Sequence, residues 1–405
     1  MKRRCSIFLL SLVVCAGVLR SEICSLDTVP AATLLLPYFD VDLSDPQGRT
    51  TLMSIGNATD RATLAHVTLW TDAGLPTLNF NVYLTGYDIQ TLNLRDLLQG
   101  RLPATADPSR DPADVLSPRG AESQDTGFPQ CEGLLPLPAV PPNIVDFFQK
   151  AHLGQPSSLH GGLCLGFPTD GKRARGYVTV DVVRRCSLLF PTDPGYFGPD
   201  GVAGHDNVLW GEFFYVEPGE QYAQGENLVR IESDPSRFKN GDRTFYGRYV
   251  GDSGIDGREP LPRKWGVRYL TGGVFTAGTD VLVWAQPRRH PSLEVQDRPF
   301  RCDGGKPAWY PQIQDAFYVF DEEERVENSG FFITPPPRRT HPFAIAGRYS
   351  ALRDLAVPFD FGWMFVDFQP SPQAWVGSVT SASGTFSGGF EGTPFQGSCA
   401  PPDPQ

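Results

Sequence analysis

The sequence predicts an all-β, mostly antiparallel protein, with a β-sandwich or Ig-like N-terminal region, a larger β-rich region after it, and one or two short helices. Three observations carry this. Gly 42 and Pro 38 are both high among the 405 residues, so turns are frequent. Short runs alternate apolar and polar residues with period two, the mark of a strand with one buried face. Long stretches of helical periodicity are missing.

The elements follow in order. Thr33 to Phe39 (TLLLPYF) is an apolar strand in which Pro37 marks an edge or a bulge. Asp45-Pro46-Gln47-Gly48 is a turn, and Thr50 to Ile55 the next strand. Leu64 to Trp70 places Ala65, Val67 and Leu69 on one face and His66 and Thr68 on the other. Asn79 to Leu84 alternates, with Phe80, Val82 and Leu84 expected inward and Asn79, Asn81 and Tyr83 outward. Ile89 to Leu94 closes the set.

Residues 101 to 142 are interrupted by nine prolines, from Pro103 to Pro142, and read as a linker or long loop. A short helix follows, with Asn143 as its expected cap, Val145 and Phe148 on its apolar side and Gly154 as its stop. Strands return at Tyr177 to Val183 and Leu209 to Val216. Leu228 to Glu232 and Thr244 to Tyr249 are expected to form a hairpin turning at Asn240-Gly241. Asp280 to Ala285, Ala316 to Phe320, Trp363 to Phe368 and Ala374 to Thr380 complete the strands. The resulting organisation is 1–21, a signal peptide; 22–100, a sandwich-like region; 101–160, the Pro-rich loop with its helix; 161–380, the larger β-rich region; and 381–405, a Gly/Ser-rich tail.

The N-terminal segment predicts export. Lys2, Arg3 and Arg4 precede an apolar core from Ile7 to Val18, with small residues at Ala16, Gly17 and Ser21 for cleavage. Removing residues 1–21 deletes four positive charges and no acid, which takes the net charge from −11 to −15. So acidic a chain disfavours nucleic acid, whose binding depends on Lys and Arg against phosphate. No later segment is long and apolar enough for a transmembrane helix. The expected location is secreted, periplasmic or on the outer surface of a bacterium.

Six cysteines remain after export: Cys24, Cys131, Cys164, Cys186, Cys302 and Cys399. None forms a CxxC pair, so disulfides are expected rather than a zinc or thioredoxin-like site. The pairings favoured are Cys24 with Cys399, joining the ends, and Cys131 with Cys164, closing the Pro-rich loop.

Chemical motifs are weak. Gly251-Asp252-Ser253-Gly254 resembles the nucleophile turn of chymotrypsin-like proteases, but Ile255 and Asp256 stand where that pattern has Gly-Pro. Leu64-Ala65-His66-Val67 is the nearest match to the family's histidine, and it lies inside a strand. His160-Gly161-Gly162 resembles a lipase oxyanion loop without a Gly-x-Ser-x-Gly elbow, and reads as a tight turn. Asp40, Asp42 and Asp45 are candidate calcium ligands, although the later Gly and Glu of an EF-hand are missing; no other cofactor is implied. The histidines are scattered, with no HxH or HExxH. Asp181, Glu212, Glu217, Asp256 and Glu259 could supply a carboxylate pair for glycoside hydrolysis. Trp210, Trp265, Tyr269, Trp309 and Tyr310 could stack on sugar rings or serve as packing.

Several stretches resemble a family of exported bacterial β-rich proteins with no assigned activity. They are Thr33 to Leu43, Leu64 to Asp72, Asn81 to Leu94, Arg175 to Val183, Asn207 to Tyr215 and Phe245 to Val250. The resemblance implies origin and export and nothing chemical. The expected function is a secreted or cell-envelope protein with a binding or structural role toward a carbohydrate or protein. An extracellular polysaccharide hydrolase is the alternative, and a serine protease a distant third.

Overall fold

The computed structural model describes residues 29–105, 131, 134–135, 137–220, 222–239, 244–250, 256–272, 278–286, 298–303, 307, 314–323, 332–333, 346–349, 360–369, 373–382 and 386–395. The chain is mostly antiparallel β, as its alternation predicts. Its first strands are β1 (Thr33–Asp42), β2 (Thr50–Asn57), β3 (Thr63–Thr71), β4 (Pro76–Leu84) and β5 (Ile89–Asn93), followed by α1 (Leu94–Leu98) and α2 (Pro142–Leu153). Then come β6 (Arg173–Val183), β7 (Leu209–Glu217), β8 (Tyr222–Asn227), β9 (Val229–Ile231) and the single turn α3 (Gly247–Val250). The last strands are β10 (Lys264–Leu270), β11 (Gly278–Gln286), β12 (Gln314–Asp321), β13 (Phe332–Ile333), β14 (Ala346–Tyr349), β15 (Phe361–Gln369), β16 (Gln373–Ala382), β17 (Phe386–Glu391) and β18 (Thr393–Pro394).

Among the described residues four sheets result, ordered β5-β2-β7-β8, β4-β3-β6-β1-β9, β14-β11-β16-β17 and β13-β12-β15-β10-β18. They pack in layers. β1 lies against β2 and β7 on one side and against β11 and β14 on the other, while β10 packs on β16. Two inner sheets are therefore covered by protein, and the two outer sheets each keep one face toward solvent. This explains why β1 and β11 read as apolar runs: a strand buried on both faces has no polar side to show.

Several expectations need correction. The Pro-rich loop does not separate two sets of strands, because β6 inserts between β1 and β3, and β7 pairs with β2. Pro37 lies in a central strand, where the register with β6 shifts between Leu36 and Phe39, so it is a bulge and not an edge. The outward face of β4 is not solvated. Asn81 donates to the Ser187 carbonyl at 2.9 Å and Asn79 to that of Leu188 at 2.8 Å, so residues 187–189 cover the strand. Tyr83 and Asn81 are buried there, beside Cys186 and Tyr196.

Residues 244–249 form no hairpin strand. The Asp256 carboxylate accepts from the Tyr246 amide at 2.6 Å and the Tyr246 hydroxyl reaches Asp181, which bends the segment into a turn and α3. Asn240 and Gly241 lie outside the described residues. Part of the Gly/Ser-rich tail is ordered strand: β17 pairs with β16 from Gly377↔Glu391 to Ala382↔Phe386.

The helix starts one residue before its expected cap. Pro142 occupies the first turn after Pro141, and no side chain caps it. Gly154 ends it in the left-handed region at φ 63°, and a Cβ there would stand 2.1 Å from the Phe167 carbonyl oxygen. β5 stops at Asn93, whose side chain accepts from the Arg95 amide at 3.0 Å and starts α1.

Cys131 pairs with Cys186, and Cys164 with Cys302. The expected Cys131–Cys164 bond is therefore wrong, because each sulfur has another partner. Cys24 and Cys399 lie outside the described residues. The Cys164–Cys302 bridge is reinforced by backbone bonds between Cys164 and Phe300 in both directions, at 2.7 and 2.9 Å.

Candidate functional site

The proposed carboxylates do not assemble into a pair. Asp181 and Asp256 are fully buried, and Glu259 nearly so. Asp181 lies in the seam between the two inner sheets. Its Oδ1 accepts from Thr33 at 2.5 Å, and its Oδ2 from Tyr196 at 2.8 Å and Tyr246 at 2.9 Å. Arg258, equally buried, donates to Thr33 Oγ1 and to the carbonyls of Asp256 and Gly204, with Nη2 3.7 Å from Asp181. Burial pushes the Asp256 carboxyl up to about 6, against the opposing pull of Arg258 and its hydrogen bonds. This network is sealed from solvent and ties Tyr196, Gly204, Tyr246 and Arg258 to β1 and β6. Glu217 is taken by Arg49, at 2.5 Å. Glu212 alone among the five points outward on a sheet.

The calcium triad does not converge. Arg173 holds both oxygens of Asp40, at 2.9 and 2.6 Å. Asp42 Oδ1 accepts from Ser44 and from the Asp45 amide, and Asp45 Oδ1 from the Gln47 amide, as in turn-forming aspartates. Among the described residues no group of three or more His, Cys, Asp or Glu side chains could hold a metal ion.

Ser253 lies outside the described residues, and His66 is buried in β3 against Asn81 and Tyr196. A different serine does meet a histidine: Ser233 Oγ lies 2.8 Å from His205 Nδ1. Its single proton is directed to the Gly257 carbonyl at 3.0 Å, so the imidazole donates to the serine. A nucleophilic pair needs the opposite polarity. His160 ends a one-turn helix, and Gly161 and Gly162 follow with φ 63° and 83°, a tight turn as expected.

Two sheet faces have the character of a binding surface. The first is the solvent side of β12-β15-β10-β18. Trp265, Val267, Tyr269, Met364 and Val366 point into the core, so their strand neighbours point out. Along β15 these are Phe361, Trp363 and Phe365. Phe320 stacks on Trp363 with centroids 4.0 Å apart and planes 7° from parallel. Phe395 closes the group at 5.9 Å from Trp363 and 5.6 Å from Phe365, and it crosses Gly266, where a Cβ would meet its ring at 2.6 Å. Phe361 is 46% and Phe395 52% exposed. Exposed Arg268 lies opposite Trp363 in the ladder.

The second is the solvent side of β5-β2-β7-β8. Met53, Ile55, Phe213 and Tyr215 are buried, and Trp210, Glu212 and Phe214 alternate with them to face outward. Trp210 crosses its ladder partner Gly56, where a Cβ would stand 2.3 Å from the indole. Phe214 crosses Gly225 in the same way, also at 2.3 Å.

Of the suggested sugar-stacking residues that are described, only Trp210 lies on such a face. Trp265 is buried, with its indole donating to the Pro262 and Ala374 carbonyls, and Tyr269 is buried with its hydroxyl on the Phe320 carbonyl. Trp309 and Tyr310 lie outside the described residues. Trp363 was legible as part of a strand, whereas Phe395 fell within the Gly/Ser-rich tail, and their meeting depends on β18 docking beside β10. Comparison with known proteins finds no matching family model, curated protein or solved structure.

Proposed function

We propose that this chain is an exported bacterial envelope or secreted protein that acts by binding, and that the aromatic face of β12-β15-β10-β18 is its ligand surface. One observation carries the reading: five aromatic rings gather on the solvent side of strands whose other side is fully packed. Rings left in water cost hydrophobic free energy that burial against a ligand recovers. Two disulfides suit an oxidising compartment, and the N-terminal segment has the charge and apolar pattern of an export signal. The ligand is a carbohydrate or a protein of the envelope. The test is co-sedimentation of the purified protein with isolated bacterial envelopes. Trp363→Ala combined with Phe395→Ala should weaken retention about tenfold, the loss of one to two kcal/mol of stacking and burial. Retention equal to wild type would overturn the assignment of this face.

An extracellular hydrolase acting on polysaccharide is the second reading, and one observation favours it. Glu226 on β8 and Glu391 on β17 interact where two sheet edges meet, and desolvation, with the charge of Glu391, pushes Glu226 up to about 7. Trp375 Nε1 donates to Glu391 at 2.8 Å. Burial raises the Glu391 carboxyl as well, and two neighbouring carboxyls held above the ordinary range are the kind of pair from which glycoside hydrolysis draws its acid and base. Release of reducing ends from polysaccharide, abolished by Glu226→Gln and by Glu391→Gln, would establish it.

A further inference from the structure

We infer that the solvent face of β5-β2-β7-β8 is a separate binding site for a neutral polysaccharide chain lying along β7. This site shares no residue with the aromatic face of β12-β15-β10-β18. Trp210 and Phe214 stand four residues apart on one side of one strand, about 13 Å at the rise of an extended chain. Each ring is laid across a glycine of the neighbouring strand, so it lies low on the sheet and presents a face to solvent. Phe214 is 37% exposed. The interval between the rings is polar. Glu212 lies in it, opposite Ser54 on one side and Asn227 on the other, with exposed Thr91 beyond Ser54.

Ser54 supplies an independent sign. It is only 9% exposed, and its hydroxyl has no hydrogen-bond partner among the described residues. A buried hydroxyl left unmet costs free energy, and native folds keep few of them without reason. By alternation with Met53 and Ile55 it belongs to the outward side of β2, in the strip between the two rings and opposite Glu212.

The pattern selects a chemistry. A pyranose ring has an apolar face of C–H groups and a rim of hydroxyls. A chain of such rings repeats this alternation, which matches aromatic plane, polar strip, aromatic plane. A protein partner would be better served by a contiguous desolvated apolar centre, which this face lacks. Among the described residues Glu212 is the sole ionisable group in the strip, so neither polyanion nor polycation is matched by charge.

Affinity electrophoresis of the full chain tests this, through gels containing hydroxyethylcellulose, xylan, glucomannan or soluble starch, with polygalacturonate and heparin as charged controls. At least one neutral polymer should retard the wild type. Trp210→Ala and Phe214→Ala should each weaken that retardation about tenfold, while Trp210→Tyr, which keeps a ring, should preserve most of it. Thr91→Arg, at an exposed position remote from the core, should weaken it without disturbing the fold. Lys150→Ala, at the surface of α2, should leave it unchanged. Retardation by no neutral polymer, by charged polymers alone, or equally in Trp210→Ala, Phe214→Ala and Thr91→Arg would overturn the inference. Retardation lost only in the Trp363 and Phe395 variant would place glycan binding on the other face.

Discussion

Asp181→Asn is the most demanding perturbation of the seam. The carboxylate accepts three hydroxyl hydrogen bonds and is the nearest anion to the fully buried Arg258. An amide keeps one acceptor and turns a donor toward the site, so at least one hydroxyl must reorient or lose its partner. It also removes one of the two carboxylates whose charge faces the guanidinium, leaving Asp256. Removing one partner of a buried ion pair costs about 3–5 kcal/mol. Arg258 retains the carbonyls of Asp256 and Gly204, and the pair distance of 3.7 Å exceeds a direct hydrogen bond, so the lower end applies, about 3 kcal/mol. At a urea m-value of about 2–3 kcal/mol/M the midpoint should fall by about 1–1.5 M. The assay is urea unfolding of the oxidised protein at pH 7, followed by tryptophan fluorescence, with exposed Glu212→Gln as the control expected within about 0.5 kcal/mol of wild type. A loss below about 1 kcal/mol for Asp181→Asn would refute the claim that the network is sealed and jointly satisfied.

Two further predictions concern charge and covalent structure. Asp72 is buried and pushed up to about 7 from 3.8, by desolvation first, although it accepts from the Phe167 amide at 2.9 Å. Its raised value means that folding favours the protonated form, so its penalty is absent below pH 4, grows between pH 4 and 7, and is complete above. Asp72→Asn keeps the acceptor and should therefore stabilise the protein at pH 8, by up to about 4 kcal/mol, and leave it unchanged near pH 3.5; equal gain at both pH values would refute this. Non-reducing peptide mapping should recover Cys131 linked to Cys186 and Cys164 linked to Cys302. A Cys131–Cys164 peptide would contradict the described pairing.

Much of the fold was legible because strand formation is local. The runs TLLLPYF, LAHVTLW and YVTVDVV became β1, β3 and β6. Polarity misled where a second layer covers a polar face. His66, Thr68 and Asp181 alternate with apolar residues as a solvated side would, yet they are buried. The polarity of Asp181 is met by hydroxyls and a guanidinium from distant parts of the chain, and that of the His66 Nδ1 by the Asn81 amide oxygen, and no periodicity carries that information. Residues 244–249 failed for the same reason: six residues of good strand composition are bent by a carboxylate ten positions downstream of Tyr246.

The feature with most bearing on function divides in the same way. The sequence by itself determined that the chain is β-rich, aromatic and acidic, and that its alternating strands must each have two unlike faces. Only the tertiary structure decided which faces meet solvent. Phe361, Trp363 and Phe365 have the alternation of a core strand, and their exposure follows from β15 lying in an outer layer. Trp210 could be read as stacking or as packing and Phe214 carried no signal of its own, until the register of three strands places Gly56 and Gly225 beneath them. Layer order and register are set by contacts between residues far apart in the chain, which the local pattern does not encode.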